Sequence, residues 1–212
     1  SYEEGETYMT DKTNRTVPHS GAGSVDIRPS GSAGDPQPAQ LEEIPPPMGG
    51  YNGKILRVNL TDRSTRDEPI SYEFARKYIG GAGFVAYYLW KELKGGVDPL
   101  GPENKIVIAM GPVTGLTIQG ASRFCAGAKS PLTNGIIKTE AGGFWMVDFK
   151  RAGYDALIIE GQANSPVYLW ITNGKVEIRD AAHLWGKETK EVESTIRSEL
   201  ADKNIKVISI GI

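Results

Sequence analysis

The stretch SRFCAGAKSPLTNGIIKTEAGG, Ser122–Gly143, sets the first expectation for the fold. It has the pattern of a strand, a turn, a second strand and a glycine-rich bend. The turn KSPLTNG spans 129–135, and its proline and Asn-Gly dipeptide are residues that favour tight turns. The stretch also holds the chain's single cysteine and an arginine, so it is the first place to look for chemistry.

Strand and helix patterns surround this stretch and predict an α+β fold, with mixed β-sheets and flanking helices. The other strand patterns are GKILRVNL (53–60), KIVIAMG (105–111), DALIIEG (155–161), PVYLWIT (166–172), KVEIRDA (175–181) and KVISIGI (206–212). The helix patterns are SYEFARKYIGG (71–81), FVAYYLWKELKGG (84–96), FWMVDFKRAGY (144–154) and KETKEVESTIRSEL (187–200). Asn173-Gly174 predicts a hairpin, and AAHLWG predicts a packed corner with Trp185 over the core.

The composition divides the chain into two parts. Residues 1–47 are rich in proline, glycine and serine and poor in large apolar residues, which predicts a disordered arm or a cloning remnant. The folded domain is expected over 48–212. The chain stops at an apolar strand pattern, so we expect a truncated domain that is incomplete at its C-terminus.

Charge and hydropathy exclude several classes of function. The net charge is −2 with acidic and basic residues interspersed, which does not suit a nucleic-acid-binding surface. No apolar run is long enough to span a membrane, and no secretion signal is visible, so a soluble cytoplasmic protein is expected. A single cysteine excludes an internal disulfide and an iron–sulfur cluster held by this chain alone.

The segment GGAGFVAYY is the first candidate motif. Gly81, Gly83 and Ala86 match the dinucleotide-binding fingerprint, and Asp98 follows. That fingerprint requires a preceding strand, so that the pyrophosphate meets the helix N-terminus. Here a helix pattern precedes it, which favours a helix–turn–helix corner over nucleotide binding.

Cys125 is the second candidate. A catalytic thiolate needs a neighbouring base or a positive field, and the histidine nearest in the predicted fold, His183, is far along the chain. Apolar neighbours on the strand favour a buried structural cysteine.

The third candidate combines Arg123 with the bend at Gly142-Gly143. A guanidinium on one strand and exposed backbone N–H groups at a helix start can together bind an anion. By themselves these residues also fit a surface arginine and an ordinary helix start, so phosphate binding is one of two interpretations.

Eight segments together resemble the N-terminal domain of the tungsten-containing aldehyde ferredoxin oxidoreductases. They are GKILRVNL, YIGGAGFVAYYL, DPLGPENKIVIAMGPVTG, SRFCAGAKSPLTNG, AGGFWMVDFKRAGYDALIIEG, PVYLWI, VEIRDAAHLWGKET and KVISIG. They occur in the family's order from Met48 onward, and the combination of GPVTG, KSPLT and KRAGYDA is specific.

The resemblance implies a tungstopterin-binding domain. In that family a tungsten or molybdenum ion is held by two pterins, and a magnesium ion bridges the pterin phosphates. The pterin-contacting positions correspond here to Ser122, Arg123 and the bend Glu140-Ala141-Gly142-Gly143. Glu140 stands where members often have asparagine near the magnesium, and a carboxylate also suits that metal.

The implied reaction is the oxidation of aldehydes to carboxylic acids, with electrons passed through a 4Fe-4S cluster to ferredoxin. The cluster cysteines, the second pterin motif and the substrate pocket of the family are absent from this sequence, so this chain alone is expected to be inactive. Two alternatives stay open: a relative acting on another substrate such as an aromatic thioester, and a non-catalytic module that dimerises or binds a partner.

Overall fold

The computed structural model describes residues 48–212, so the predicted arm over 1–47 lies outside the described residues. The elements are β1 (Lys54–Asn59), β2 (Ser64–Pro69), α1 (Tyr72–Tyr78), α2 (Ala82–Glu92), β3 (Lys105–Met110), β4 (Arg123–Lys129), β5 (Ile136–Gly142), α3 (Trp145–Arg151), β6 (Ala156–Glu160), β7 (Val167–Thr172), β8 (Lys175–Asp180), a short 3₁₀ helix (Ala182–Leu184) and α4 (Thr189–Glu199). The interspersed strands and helices confirm the α+β prediction.

The main sheet has six strands in the order β2-β1-β6-β3-β4-β5. Strands β1 and β6 pair in parallel, and the other neighbours in this sheet pair antiparallel. The sheet is therefore mixed, as the sequence predicts. Strands β7 and β8 form a separate two-stranded hairpin.

The strand directions collect chemically useful residues at one end of the sheet. Strands β1, β4 and β6 begin there, and β3 and β5 end there, because Ile55 pairs with Ala156, Ala156 with Ala109, and Met110 with Phe124. We call this end, defined by Gly53, Gly111, Arg123, Gly142 and Asp155, the upper edge. The topology alone brings these five residues, which are distant in sequence, to one side of the molecule.

Two apolar clusters cover the two faces of the sheet. On one face, α1 and α2 pack over a cluster that includes Ile55, Phe84, Leu89 and Val107. On the other face, α3 and the β7–β8 hairpin pack over a cluster that includes Leu56, Met146 and Phe149. Burial of both faces explains why β3 and β6 are nearly continuous apolar runs. The alternation in GKILRVNL predicts a half-buried β1, but its four central residues are all buried, Arg57 included.

Local turn chemistry agrees with the sequence in two places. Asn173 and Gly174 both have positive φ angles, 48° and 76°, as the predicted hairpin turn requires. Ser71 caps α1, because its side chain accepts a hydrogen bond from the Phe74 N–H.

One strand was not predicted, and two local predictions are wrong. Strand β2 has mostly exposed, polar residues, so it carries no apolar pattern. The segment 206–212 is not a strand, because no strand among residues 48–212 pairs with it. Trp185 is 66% exposed and does not cover the core; its neighbour Leu184 is the buried residue.

The GGAG segment forms the corner between α1 and α2, as the helical pattern predicts. A Cβ on Gly80 would lie 2.4 Å from the Met110 carbonyl oxygen, and a Cβ on Gly83 would lie 2.0 Å from that of Tyr78. The glycines therefore allow close backbone packing. A helix, not a strand, precedes them, so the structural context of the dinucleotide fingerprint is missing here.

Arg57 on β1 is a buried charge, 5% exposed, that the sequence analysis did not single out. Its guanidinium forms ion pairs with Glu68 on β2 and Glu92 at the end of α2. Burial by itself would raise the pKa of each carboxyl, but the Arg57 hydrogen bonds outweigh it, and both pKa values lie below the ordinary 4.5. The pairs tie α2 to the first two strands.

We expect Gly83→Ala to destabilise the fold by about 1–3 kcal/mol, although alanine normally favours a helix over glycine. The reason is the collision with a backbone oxygen, which cannot rotate away. Thermal unfolding of the full chain measures the effect. Gly95→Ala is the matched control, because its Cβ would meet nothing within 4 Å; equal melting temperatures for the two variants would contradict the packing argument.

We expect Arg57→Met to destabilise the chain at neutral pH and progressively less as the pH falls below about 4.5. In the wild type the depressed carboxyl pKa values contribute stability above the unfolded pKa, and this is lost on acidification. In the variant, protonation neutralises two carboxylates that have lost their Arg57 partner. Urea unfolding between pH 7 and pH 3 tests this; a wild-type advantage that is constant with pH would disprove it.

Candidate functional site

The β4–β5 hairpin brings the predicted site residues together at the upper edge. Arg123 pairs directly with Gly142, and Cys125 pairs with Glu140. The turn of this hairpin closes with hydrogen bonds from the Ser130 N–H to the Gly135 carbonyl, 2.8 Å, and from the Asn134 N–H to the Ser130 carbonyl, 2.9 Å. The predicted turn therefore does place the arginine strand beside the glycine bend.

Register decides which side chains share a face, since directly paired residues point the same way and alternate residues point oppositely. Arg123, Cys125 and Glu140 lie on the face covered by α1 and α2, and Ala141 lies on the opposite face with Phe124. The Arg123 charge also helps to lower the pKa of Glu140, after the larger effect of Lys138.

The Arg123 side chain is exposed, and within residues 48–212 its guanidinium forms no hydrogen bond or ion pair. Its position is fixed through the backbone, by pairing with Gly142 and by the carbonyl that accepts from Thr114. An arginine whose backbone is held, and whose guanidinium has no partner among residues 48–212, can bind a phosphate or carboxylate bidentately.

The backbone of the glycine bend beside Arg123 is accessible. Gly143 has a φ of 128°, which non-glycine residues rarely adopt, and a Cβ built on it would meet nothing within 4 Å. A Cβ on Gly142 would contact only the Ser122 carbonyl oxygen, at 3.5 Å. Packing among residues 48–212 thus leaves room at Gly142, and the bare backbone lets a ligand approach closely.

Glu140 is ion-paired with Lys138, its neighbour on the same face of β5. The Lys138 hydrogen bond lowers the pKa of Glu140, so its carboxylate is ionised at neutral pH. No group of three potential metal-ligating side chains occurs in the described part of the chain.

The sequence analysis missed Thr114, which is 6% exposed and lies in the loop after β3. Its hydroxyl accepts a hydrogen bond from the Gly111 N–H, 3.1 Å, and donates one to the Arg123 carbonyl, 3.3 Å. Thr114 therefore joins the loop 111–114 to the start of β4. The GPVTG motif was the available signal, but it served only as a family marker.

Lys150 and Asp155 form a buried ion pair below the same loop. The Lys150 ammonium lies 3.3 Å from Asp155 Oδ1, and their side chains are 12% and 0% exposed. Burial lowers the pKa of Lys150, against the opposing effect of Asp155. The motif KRAGYDA contains both residues, but neither periodicity nor spacing indicated that they would pair.

Cys125 is 3% exposed, and burial raises the pKa of its thiol. It packs in the cluster under α1 and α2, and a Cβ on Gly81, at the start of α2, would lie 4.0 Å from its Cβ. The prediction of a buried structural cysteine is confirmed, and the thiol is not part of the exposed site.

The fold and this edge define a class: a mixed-sheet domain that presents an open arginine and a glycine bend on one side of the sheet. The sequence profile of the aldehyde ferredoxin oxidoreductase N-terminal domain matches residues 55–212. The chain therefore belongs to the aldehyde ferredoxin oxidoreductase family, and the resemblance inferred from the sequence motifs is confirmed.

Curated relatives agree with this assignment. The chain is 48% identical over 164 residues to the tungsten-containing aldehyde ferredoxin oxidoreductase of Pyrococcus abyssi, a match that covers 77% of this chain and 27% of the relative. It is 40% identical over 159 residues to the aliphatic sulfonate oxidoreductase, WOR-like subunit, of Pyrococcus furiosus, covering 74% of this chain and 25% of that one. The chain thus spans about a quarter of the length of these relatives.

A solved structure shows the same fold. The active site complex BamBC of benzoyl coenzyme A reductase, determined with 1,5-dienoyl-CoA, matches with a TM-score of 0.71 and 37% sequence identity. The match covers 73% of this chain and 24% of that one.

Among residues 48–212 no helix is both long and apolar enough to cross a bilayer.

We expect Cys125 to react slowly with iodoacetamide in the folded protein and rapidly after unfolding, because the thiol is buried and its pKa is raised. Mass spectrometry of the peptide that contains Cys125 measures the labelling. Cys125→Ala should cost about 1 kcal/mol of stability through lost packing, without loss of function. Rapid labelling of the native protein would contradict a structural role.

Proposed function

We propose that this chain forms the N-terminal part of a tungsten, or molybdenum, bis-pterin oxidoreductase and supplies one side of the surface that holds the cofactor. The observation that carries the proposal is Arg123, open and free of protein partners within the described residues, beside the open backbone of Gly142 and Gly143. Family membership supplies the cofactor class.

The residues present fit a pterin phosphate. Arg123 would pair with the phosphate oxygens, because a guanidinium matches two of them at once. The carbonyl and N–H groups of Ser122 and of the bend Glu140–Gly143 would contact the polar pterin, since the glycines leave no side chain in the way. Glu140 is ionised and lies near Arg123. It would contact, through water, the magnesium ion that bridges the phosphates, rather than being one of several protein ligands of that ion.

The metal and pterins would supply the two-electron redox chemistry, and the protein positions and tunes them. The reaction we propose is the oxidation of an aldehyde to a carboxylic acid, with electrons leaving through a 4Fe-4S cluster to ferredoxin in the cytoplasm. This chain spans 27% of the Pyrococcus abyssi relative. The cluster and the substrate pocket would belong to the further parts that the longer relatives contain, and this chain would act together with them.

The substrate class is the least constrained part of the proposal. Relatives of comparable identity are named for an aldehyde, for an aliphatic sulfonate and for a benzoyl-CoA system. A reductive reaction on an aromatic thioester is therefore the alternative within the same family. The upper edge contacts the cofactor in either case, so its residues do not distinguish the two reactions.

A second candidate function rests on β5. This strand is at the edge of the sheet, and all seven of its residues are exposed. Unpaired edge strands of this kind pair readily with other chains. The chain would then be a non-catalytic module that dimerises or binds a partner. Light scattering of the full chain separates the candidates: a monomer without a partner leaves the second one without support.

We expect Arg123→Ala in the complete protein to lose most of its tungsten and pterin, because the phosphate loses its bidentate partner. Metal analysis and pterin fluorescence, each per mole of protein, measure the loss. Arg123→Lys should be intermediate, since an ammonium keeps the charge but not the planar pair of donors.

Arg66→Ala is the matched control for charge and exposure. Arg66 lies on β2, at the opposite side of the sheet from β5, and its side chain is 61% exposed. It should retain wild-type cofactor content. Full cofactor content in Arg123→Ala would refute the proposed site, and absence of tungsten, molybdenum and pterin from the native protein would refute the proposed function itself.

A further inference from the structure

The structure contains a connected set of contacts that runs from the buried interior to Arg123. The Lys150 ammonium donates to the Gly111 carbonyl, 2.7 Å, and lies 3.3 Å from Asp155 Oδ1. Gly111 in turn donates to Thr114, and Thr114 donates to the Arg123 carbonyl. The first contact joins α3 to the loop 111–114, the Gly111–Thr114 bond lies within that loop, and the last contact joins the loop to β4.

Asp155 anchors this set to the centre of the sheet. Its Oδ2 accepts from the Gly53 N–H, 2.8 Å, and its carbonyl accepts from the Met110 N–H, 3.0 Å. Its Oδ1 has no hydrogen-bond partner of good geometry among the described residues, so the Lys150 charge is its compensation. The carboxylate is completely buried, so the Lys150 side chain must extend into the interior to pair with it.

Stability alone is a weak explanation for such a pair. A buried ion pair often contributes no more stability than apolar residues of similar size, because desolvation cancels much of the attraction. The pair instead fixes the position of the Lys150 ammonium. Another N–H of the same ammonium then donates to the Gly111 carbonyl, in the loop after β3. That carbonyl also accepts from the Thr114 N–H, 3.2 Å, which closes the turn that carries the Thr114 hydroxyl.

We propose that Lys150, Asp155 and Thr114 are positioning residues that hold the loop 111–114 and, through it, the backbone of Arg123 in the geometry needed to bind the cofactor. The inference rests on the proposed function, because Arg123 is the group that is positioned. None of the three residues needs to touch the cofactor. Their effect is of the kind that outer-shell residues have on metal sites, where loss of one partner weakens retention about 10–100-fold.

Thr114 offers the most direct test, since two variants separate its hydroxyl from its shape. Thr114→Val keeps the branched shape and removes the hydroxyl, whereas Thr114→Ser keeps the hydroxyl. We expect the complete protein with Thr114→Val to retain tungsten and pterin about tenfold less well during dialysis, and Thr114→Ser to restore retention. Equal retention in the two variants would overturn the role of Thr114.

The ion pair is tested with the double variant Lys150→Met, Asp155→Asn, which leaves no buried charge unpaired and keeps an acceptor for the Gly53 N–H. We expect it to lose cofactor about as strongly as Thr114→Val. Lys187→Met, which breaks the exposed pair with Glu191, is the control and should behave like the wild type. Wild-type retention in the double variant would overturn the role of the pair.

A second readout does not depend on the cofactor. Amide hydrogen exchange of the metal-free complete protein should become about tenfold faster at Gly111 and Thr114 in both test variants, while α2 and β6 stay protected. Loss of cofactor with unchanged exchange in this loop would overturn the positioning mechanism. If Arg123→Ala keeps its cofactor, the proposed cofactor site at Arg123 fails instead, and the exchange result still decides whether these residues order the loop.

Discussion

The parallel pairing of β1 with β6 is the constraint on which the rest of the structure depends. Because these two strands run the same way, Gly53 and Asp155 lie at the same end of the sheet, where the Gly53 N–H reaches the Asp155 carboxylate. The antiparallel strands that follow then bring the end of β3, the start of β4 and the end of β5 to that same end. With β6 reversed, Asp155 would lie at the other end of the sheet, and the upper edge would lose its anchor.

Side-chain burial decreases across the sheet from the central strands β1, β6 and β3 to the edge strand β5. Strands β1, β3 and β6 hold side chains with 0% exposure, such as Val58, Val107 and Ile158, whereas all of β5 is exposed. A rigid centre beside an open edge suits a binding surface, because tightly packed elements hold a site more accurately than loops do.

The elements that could be predicted from the sequence are those that a local residue pattern determines. Alternation located β1, apolar runs located β3 and β6, and the turn residues located the hairpins, including the one that joins Arg123 to the glycine bend. Strand β2 escaped because it is polar and exposed, and segment 206–212 was wrongly predicted because an apolar run does not specify a pairing partner. The Lys150–Asp155 pair and the Thr114 contacts could not be predicted, since they depend on the relative placement of α3, β3 and β4, which no local signal encodes.

The boundary between the buried core and the exposed site falls between Cys125 and Arg123. They lie two residues apart on one strand and on one face, yet one is open and the other is 3% exposed. Cys125 packs against the start of α2, where a Cβ on Gly81 would lie 4.0 Å from the Cys125 Cβ, whereas Arg123 at the end of the strand is exposed. Gly80 and Gly81 make this possible, because the bare backbone at Gly80 packs against the Met110 carbonyl and the Gly81 N–H bonds to it at 3.0 Å. The glycine motif that resembles a nucleotide fingerprint thus has a different physical role: it places the helix start that separates the buried thiol from the open guanidinium.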